Sequence, residues 1–135
     1  NSSNHPNVYK RNPCIFSHSK EVFAIANVNN TYGKIIGAVV ALAGLLGFFM
    51  NPILGLLGVN MASNIAHLLG GLLVLWKAGK STNMILGVIA LLVGIIGFVP
   101  GISFIATDWL GFNTNFHILH IVIGVVSLAV YKFAD

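Results

Sequence analysis

The chain has 135 residues, of which 56% are hydrophobic and only 7% are charged, and its formal net charge is +4. A soluble domain carries about 25% charged residues, so these few charges cannot cover a water-facing surface. The composition therefore predicts an integral membrane protein. The basic residues are scattered between apolar segments, which excludes a nucleic-acid-binding patch. The lone cysteine, Cys14, excludes an internal disulfide.

Residues 1–32 form the polar part of the chain and are predicted to be an N-terminal extension. The first 13 residues hold two prolines and several asparagines, which favour turns over a packed element. Residues 15–28 predict a short amphipathic helix that is too short and too polar to span a bilayer. We expect this helix to lie on the membrane surface or against a partner. The spacing of His5, Cys14 and His18 matches no zinc-binding pattern.

Four apolar segments follow, and each is predicted to be a membrane-spanning helix. They run from about residue 34 to 50, 62 to 76, 83 to 99 and 116 to 133. A helical span needs roughly 17–25 residues, so the second segment is expected to use interfacial residues or a thinned bilayer. The alternating polarity of a membrane β-strand is missing. The expected fold is therefore an all-α integral membrane domain over residues 33–133.

The basic residues predict the orientation of this domain. All of them fall on one side of the predicted helices, and the connections at about 51–61 and 100–115 hold none. The positive-inside rule then predicts a multi-pass protein of the cell membrane, with both termini and the loop at residues 77–80 in the cytoplasm. The basic residues are Lys10, Arg11, Lys20, Lys34, Lys77, Lys80 and Lys132.

The four segments form an internal repeat, with residues 33–78 as the first unit and residues 82–133 as the second. Residues 64–75 align with residues 117–128, so that His67 matches His120 and Gly71 matches Gly124. A unit with an even number of spans keeps its direction in the membrane. The expected architecture is therefore two tandem helical hairpins in a parallel repeat.

Glycines recur at matching positions of the two units. Small residues let helix backbones approach closely in lipid, so we expect these positions to be the helix-packing contacts. They are Gly37, Gly44, Gly47 and Gly71 in the first unit and Gly87, Gly94, Gly97 and Gly124 in the second.

The paired histidines His67 and His120 are the candidate site residues, because polar side chains inside a membrane usually point into the helix bundle. We expect their rings to lie within about 10 Å of each other, a neighbouring-helix separation. The first interpretation is structural, with each ring bonded to a carbonyl, a loop asparagine or its mate. The second is a ligand role, in which His67 and His120 bind haem, or His120 and His117 hold a metal ion. The third is proton or small-solute handling at the outer face.

The sequence offers little equipment for catalysis. It contains three acidic residues, Glu21, Asp108 and Asp135, which leaves almost nothing for general acid–base chemistry. It has no phosphate-cradling glycine loop, no nucleophile elbow and no paired carboxylates. We therefore expect a protein that is not an enzyme.

A pattern of polar–x–x–His–x–x–x–Gly opens the second and fourth segments. It reads Asn64–x–x–His67–x–x–x–Gly71 in one and His117–x–x–His120–x–x–x–Gly124 in the other. With four spans, this pattern resembles the small bacterial and archaeal membrane family catalogued as domain of unknown function number 4383, over residues 33–133. The resemblance implies a four-span architecture and no activity, so it assigns no catalytic residue.

These observations predict an accessory or scaffold subunit of a larger membrane complex, for example a respiratory or monooxygenase complex, without a cofactor of its own. The expected partners are other membrane subunits or a second copy of the chain, together with lipid, and not nucleic acid. The alternative is a haem- or metal-binding electron-transfer module that uses His67 and His120. A small oligomeric transporter is the third hypothesis.

Overall fold

The computed structural model describes the backbone of residues 13–134 and the side chains of residues 28–134. This part of the chain forms five helices and no strand, which confirms the predicted all-α fold. The helices are α1 (Pro13–Gly47), α2 (Met61–Trp76), α3 (Lys80–Ile96), a π-helix (Ile105–Trp109) and α4 (Thr114–Phe133).

In the part of the chain that the structure describes, two segments are long and apolar enough to cross a membrane, Val28–Gly47 within α1 and Thr114–Phe133, which is α4. Helices α2 and α3 are apolar but have only 16 and 17 residues. At 1.5 Å per residue they measure about 24 and 26 Å, against a hydrocarbon thickness of about 30 Å. The four predicted spans therefore require these two shorter helices to cross the membrane as well.

Helix α1 joins two segments that the sequence predicts as separate elements. It begins at Pro13 and continues for 35 residues. Proline is tolerated in the first turn of a helix, and neither proline nor glycine occurs between Pro13 and Gly33. The predicted amphipathic helix at residues 15–28 is thus continuous with the first apolar segment. The polar tail at residues 1–12 and the side chains of His5, Cys14 and His18 lie outside the described residues.

The helices pack as two antiparallel pairs, α1 with α2 and α3 with α4. Glycine allows the close approach in both pairs. A Cβ atom added to Gly37 would lie 2.8 Å from the backbone nitrogen of Leu75, and one added to Gly87 would lie 2.8 Å from Cγ of Leu128. The same crowding applies at Gly44, Gly71, Gly94 and Gly124. The predicted helix-packing glycines of the two units therefore lie at the contacts between helices.

The polarity of these helices is inverted relative to that of a water-soluble protein. The largest fully buried side chains of the described residues are Asn29, Asn83, Ser63 and Ser127, and glycines fill much of the remaining interface. Many of the large apolar side chains of the helices point outward instead. On α2 and α3 the exposed set is Met61, Ile65, Leu69, Leu72, Leu73, Trp76, Met84, Ile85, Val88, Ile89, Leu92 and Ile95.

The two connections inside the helix pairs, at residues 48–60 and 97–113, meet at one end of the molecule, which we call the loop end. The buried apolar cluster of the described residues lies here and consists of Ile53, Val59, Ala106, Phe112 and Phe116. We call the opposite end the basic end, because the loop between α2 and α3 and the end of α4 place Lys77, Lys80 and Lys132 there.

Two asparagines join the helix pairs at the loop end in a reciprocal way. The side-chain oxygen of Asn60 accepts a bond from the Ser63 amide at 3.0 Å and so caps α2, while its side-chain nitrogen donates to the Trp109 carbonyl at 2.8 Å. Asn113 caps α4 through the Phe116 amide at 3.1 Å and donates to the Leu56 carbonyl at 2.8 Å. Each asparagine thus starts its own helix and contacts the connection of the other pair.

Candidate functional site

The rings of His67 and His120 lie beside each other near the loop end. Their centroids are 5.7 Å apart, and the ring planes are inclined by 55°. This separation is inside the limit of about 10 Å that the sequence predicts from helix packing. The structure therefore brings the two histidines together from different helix pairs, one from α2 and one from α4.

Each of these histidines is held by a carbonyl of its own helix, one turn earlier in the chain. Nδ1 of His67 lies 2.7 Å from the Ser63 oxygen, and Nδ1 of His120 lies 2.9 Å from the Phe116 oxygen. A carbonyl oxygen can only accept, so Nδ1 donates in both rings. In the neutral imidazole the lone pair must then be on Nε2. The two rings therefore have the same orientation relative to their helices and the same free nitrogen.

Two phenylalanines complete a four-ring group that we call the histidine–phenylalanine cluster: His67, His120, Phe112 and Phe116. The phenylalanine rings stack on each other with centroids 4.5 Å apart. Phe112 lies 5.6 Å from His67 and 4.8 Å from His120, and Phe116 lies 5.4 and 4.7 Å from them. Neither phenylalanine stands out in the sequence as a site residue, although Phe116 lies one helical turn before His120 and so shares its face.

His117 and Asn64 are equivalent in the internal alignment, and both lie outside this cluster. Asn64 on α2 packs against Gly47 of α1, where an added Cβ atom would overlap the amide. His117 on α4 packs in the same way against Gly97 at the end of α3, and its ring lies 5.6 Å from Phe98. Both side chains are buried, and the amide oxygen of Asn64 and both ring nitrogens of His117 have no hydrogen-bond partner among the described residues. Gly47 and Gly97 thus accommodate polar side chains of the neighbouring helix.

The residues at the site limit what it could bind. Among the side chains of residues 28–134, no three from His, Cys, Asp or Glu lie close enough together to hold one metal ion. A structural zinc site needs four such ligands and a catalytic one needs three. The cluster offers the two imidazoles of His67 and His120.

The cluster is also crowded for a porphyrin. Bis-histidine haem ligation requires a flat macrocycle between the two rings. Phe112 and Phe116 both lie within 5.6 Å of each histidine ring, so a macrocycle in that space would have to displace them. This geometry favours a small occupant over a large planar one.

Comparisons of this chain with protein-family models, with curated proteins and with solved structures found no match. The resemblance to the four-span family named above stays a prediction. A function for this chain is therefore inferred from the contacts within it.

Proposed function

We propose that this chain is a four-span membrane protein, built from two tandem parallel hairpins, that serves as a non-catalytic accessory or scaffold subunit of a larger membrane complex. The observation that carries this proposal is the inverted polarity of the helices. Asparagine, serine and glycine, together with side chains such as Leu75 and Leu128, form the interface, and many leucine, isoleucine and valine side chains cover the outside.

The inverted polarity supports a membrane location for all four helices. Soluble monomers rarely expose a contiguous apolar patch larger than a few hundred Å², yet apolar side chains are exposed along α2, α3 and α4 and along the Val28–Gly47 part of α1. In lipid such a surface is favourable, and small buried residues let the backbones pack. A short helix such as α2 is accommodated by local thinning of the bilayer.

The contacts of the two helix pairs support the tandem repeat. Gly47 meets Asn64 in the first pair, and Gly97 meets His117 in the second. The caps of α2 and α4, the carbonyl bonds of the two paired histidines and the glycine contacts also recur in matching positions. Two hairpins with the same internal contacts and the same direction fit a parallel repeat with an axis along the membrane normal.

The positions of the lysines support a cytoplasmic basic end. Lys77 lies over the ring of the exposed Trp76, 5.0 Å from its centroid, and Lys80 lies 5.5 Å from the ring centroid of Tyr131. Aromatic rings next to basic residues are typical of the membrane interface. The connections at the loop end contain no lysine or arginine, which fits a location outside the cytoplasm.

The apolar outer surface and the scarcity of acidic residues both support the accessory role. The polar groups of the interior are used mainly to join helices, as in the bonds of Asn60 and Asn113, and the scarcity of acidic residues leaves little for acid–base chemistry. The outer face is a broad apolar surface that lipid or another membrane subunit can cover. Helix α1 also continues beyond its membrane-length segment, from Val28 back to Pro13, and so provides a further docking element.

The test of this proposal is crosslinking in the native membrane. A photoreactive residue replaces one outward-facing side chain per helix, at Leu42, Leu72, Val88 or Val125, in an affinity-tagged chain. We expect at least one position to form an adduct with the same larger membrane subunit in every preparation, and that subunit to co-purify in a fixed ratio. The same tagged chain without a photoreactive residue is the control and should form no such adduct. Adducts with lipid or with a second copy alone would contradict the accessory role.

A second candidate is the ligand-binding module centred on His67 and His120. The observation that favours it is the 5.7 Å separation of the two rings, which places two ligand-type side chains from different hairpins beside each other.

A further inference from the structure

We propose that the histidine–phenylalanine cluster binds one monovalent copper ion through Nε2 of His67 and Nε2 of His120. This inference goes beyond the accessory role and does not depend on it, because it rests on the local geometry of four side chains.

The first step is the availability of the two donor atoms. Nδ1 of each ring donates to a backbone carbonyl, at 2.7 Å for His67 and 2.9 Å for His120. The lone pair of each neutral ring is therefore on Nε2, and no described residue forms a hydrogen bond with either Nε2 atom. A hydrogen bond from the far nitrogen to a carbonyl is also the support that metal-bound histidines usually have, since it sets the tautomer and the ring orientation.

The second step is the distance between the rings of His67 and His120. Two imidazole nitrogens that are each about 2 Å from one ion place the centroids of their rings about 6 Å apart. The centroids of His67 and His120 are 5.7 Å apart. The separation of the two rings is therefore compatible with one ion held by both histidines.

The third step is the number of ligands and the charge. With no further His, Cys, Asp or Glu gathered around the pair in the described residues, the cluster provides two neutral nitrogen ligands. Divalent zinc needs more ligands than this, and a divalent charge without a carboxylate is costly inside a membrane protein. Imidazole is a suitable ligand for copper, and the monovalent d¹⁰ ion can adopt a two-coordinate geometry. Number and charge thus select monovalent copper.

The fourth step concerns the side chains that surround the proposed ion. Phe112 and Phe116 are buried and contact both histidines, so they place an apolar wall beside the proposed ion. Such a wall limits the access of water and of a third ligand, which preserves the two-coordinate form. The histidines themselves are half-buried near the loop end, which leaves a short route for an ion to enter.

The experiment measures binding of monovalent copper to the full-length chain in detergent, without oxygen, in competition with a copper(I)-specific chelator. Because His5, Cys14 and His18 could bind copper themselves, they are replaced together (His5→Ala, Cys14→Ser, His18→Ala), and this variant is the reference. We expect one ion per reference chain. His67→Ala and His120→Ala should each weaken binding by more than about 100-fold, beyond the 10–100-fold that loss of a merely supporting contact costs.

The matched control is His117→Asn, which places in the second hairpin the residue found at the equivalent position of the first, Asn64. This variant should keep full binding. If either alanine variant elutes as an aggregate, His67→Asn and His120→Asn replace it, since asparagine keeps a polar group in the cluster. X-ray absorption of the loaded reference should show two nitrogen ligands and no sulfur.

The proposal is overturned if the reference chain binds no ion at one-to-one stoichiometry. It is also overturned if folded histidine variants retain the affinity, or if X-ray absorption shows a sulfur ligand from a methionine. None of these measurements depends on a partner subunit, so the failure of the accessory role would leave the copper result unchanged.

Discussion

The side-chain nitrogen of Asn83 lies 2.9 Å from the backbone oxygen of Asn29 and 2.7 Å from its side-chain oxygen, and donates a hydrogen bond to each. The side-chain nitrogen of Asn29 in turn donates to the Val130 carbonyl at 3.2 Å. These bonds run from α3 to α1 and from α1 to α4, so they tie the two hairpins together at the basic end. Tyr32 and Ser127 add a hydroxyl–hydroxyl bond of 2.6 Å nearby.

Replacing Asn83 by leucine should therefore loosen the contact between the hairpins. The change removes the two N–H donors of the Asn83 amide that bond to the two oxygens of Asn29. We expect the free energy of unfolding to fall by about 1 kcal/mol, in the range of hydrogen bonds between membrane helices. Thermal unfolding in detergent measures the loss. Thr31→Ala is the control, because Thr31 is exposed on the same helix as Asn29. Equal stability of the two variants would show that the asparagine pair does not hold the hairpins.

Adjacent glycines of α2 give a second and sharper comparison. A Cβ atom on Gly71 would overlap the backbone of Ala41 and lie 2.7 Å from the Gly37 oxygen, whereas one on Gly70 would meet nothing within 4 Å. Gly71→Ala should destabilise the protein by about 1–3 kcal/mol, the usual cost of overpacking. Gly70→Ala should be neutral or stabilising, because alanine is the better helix former by about 1 kcal/mol. Unfolding curves of the two variants in one detergent decide this, and a stable Gly71→Ala variant would mean that the α1–α2 contact is looser than described.

The reciprocal asparagines at the loop end allow capping to be separated from contact between the hairpins. Asn60→Asp keeps the oxygen that caps α2 but loses the donor to the Trp109 carbonyl, whereas Asn60→Ala loses both. We expect the free energy of unfolding to fall by about 1 kcal/mol in Asn60→Asp, which loses the donor. It should fall by about 1 kcal/mol more in Asn60→Ala, which also loses the cap. The same order should hold for Asn113→Asp and Asn113→Ala. If aspartate and alanine cost the same, the cap contributes little.

Cysteine labelling tests the four spans and their orientation together. In a Cys14→Ser background, single cysteines replace Leu56 and Ile102, which are exposed in the two connections at the loop end, and Ser81, which is exposed at the basic end. An impermeant thiol reagent added to intact cells should label the first two positions and reach Ser81→Cys only after lysis. Labelling of one loop-end position without the other would show that one hairpin does not cross the membrane.

The sequence predicted the four long helices well, because each is an apolar run of helical length bounded by polar or glycine-containing connections. It also predicted the proximity of His67 and His120, since the repeat puts them at equal depth. It could not predict that α1 is one continuous helix, because polarity changes along the chain do not mark helix ends.

Other contacts could not be predicted because they depend on the tertiary structure and leave no local pattern in the sequence. Asn29 and Asn83 are 54 residues apart, and neither has a local pattern that names its partner. The stacking of Phe112 on Phe116 depends on how the connection after the π-helix folds back, with the Phe112 amide bonded to the Ala106 carbonyl at 3.0 Å. Hydrophobic periodicity describes one helix at a time and carries no information about such contacts.

The polar and glycine-lined interface between the helices has a thermodynamic consequence. Unfolding raises the heat capacity of a protein mainly by bringing apolar surface into contact with water. In the four-span arrangement that we propose, separated helices would remain in lipid, so the surfaces uncovered between them would not come into contact with water. The heat-capacity change of helix separation should therefore be close to zero, and the free energy of helix separation should vary almost linearly with temperature, without the maximum seen for soluble domains.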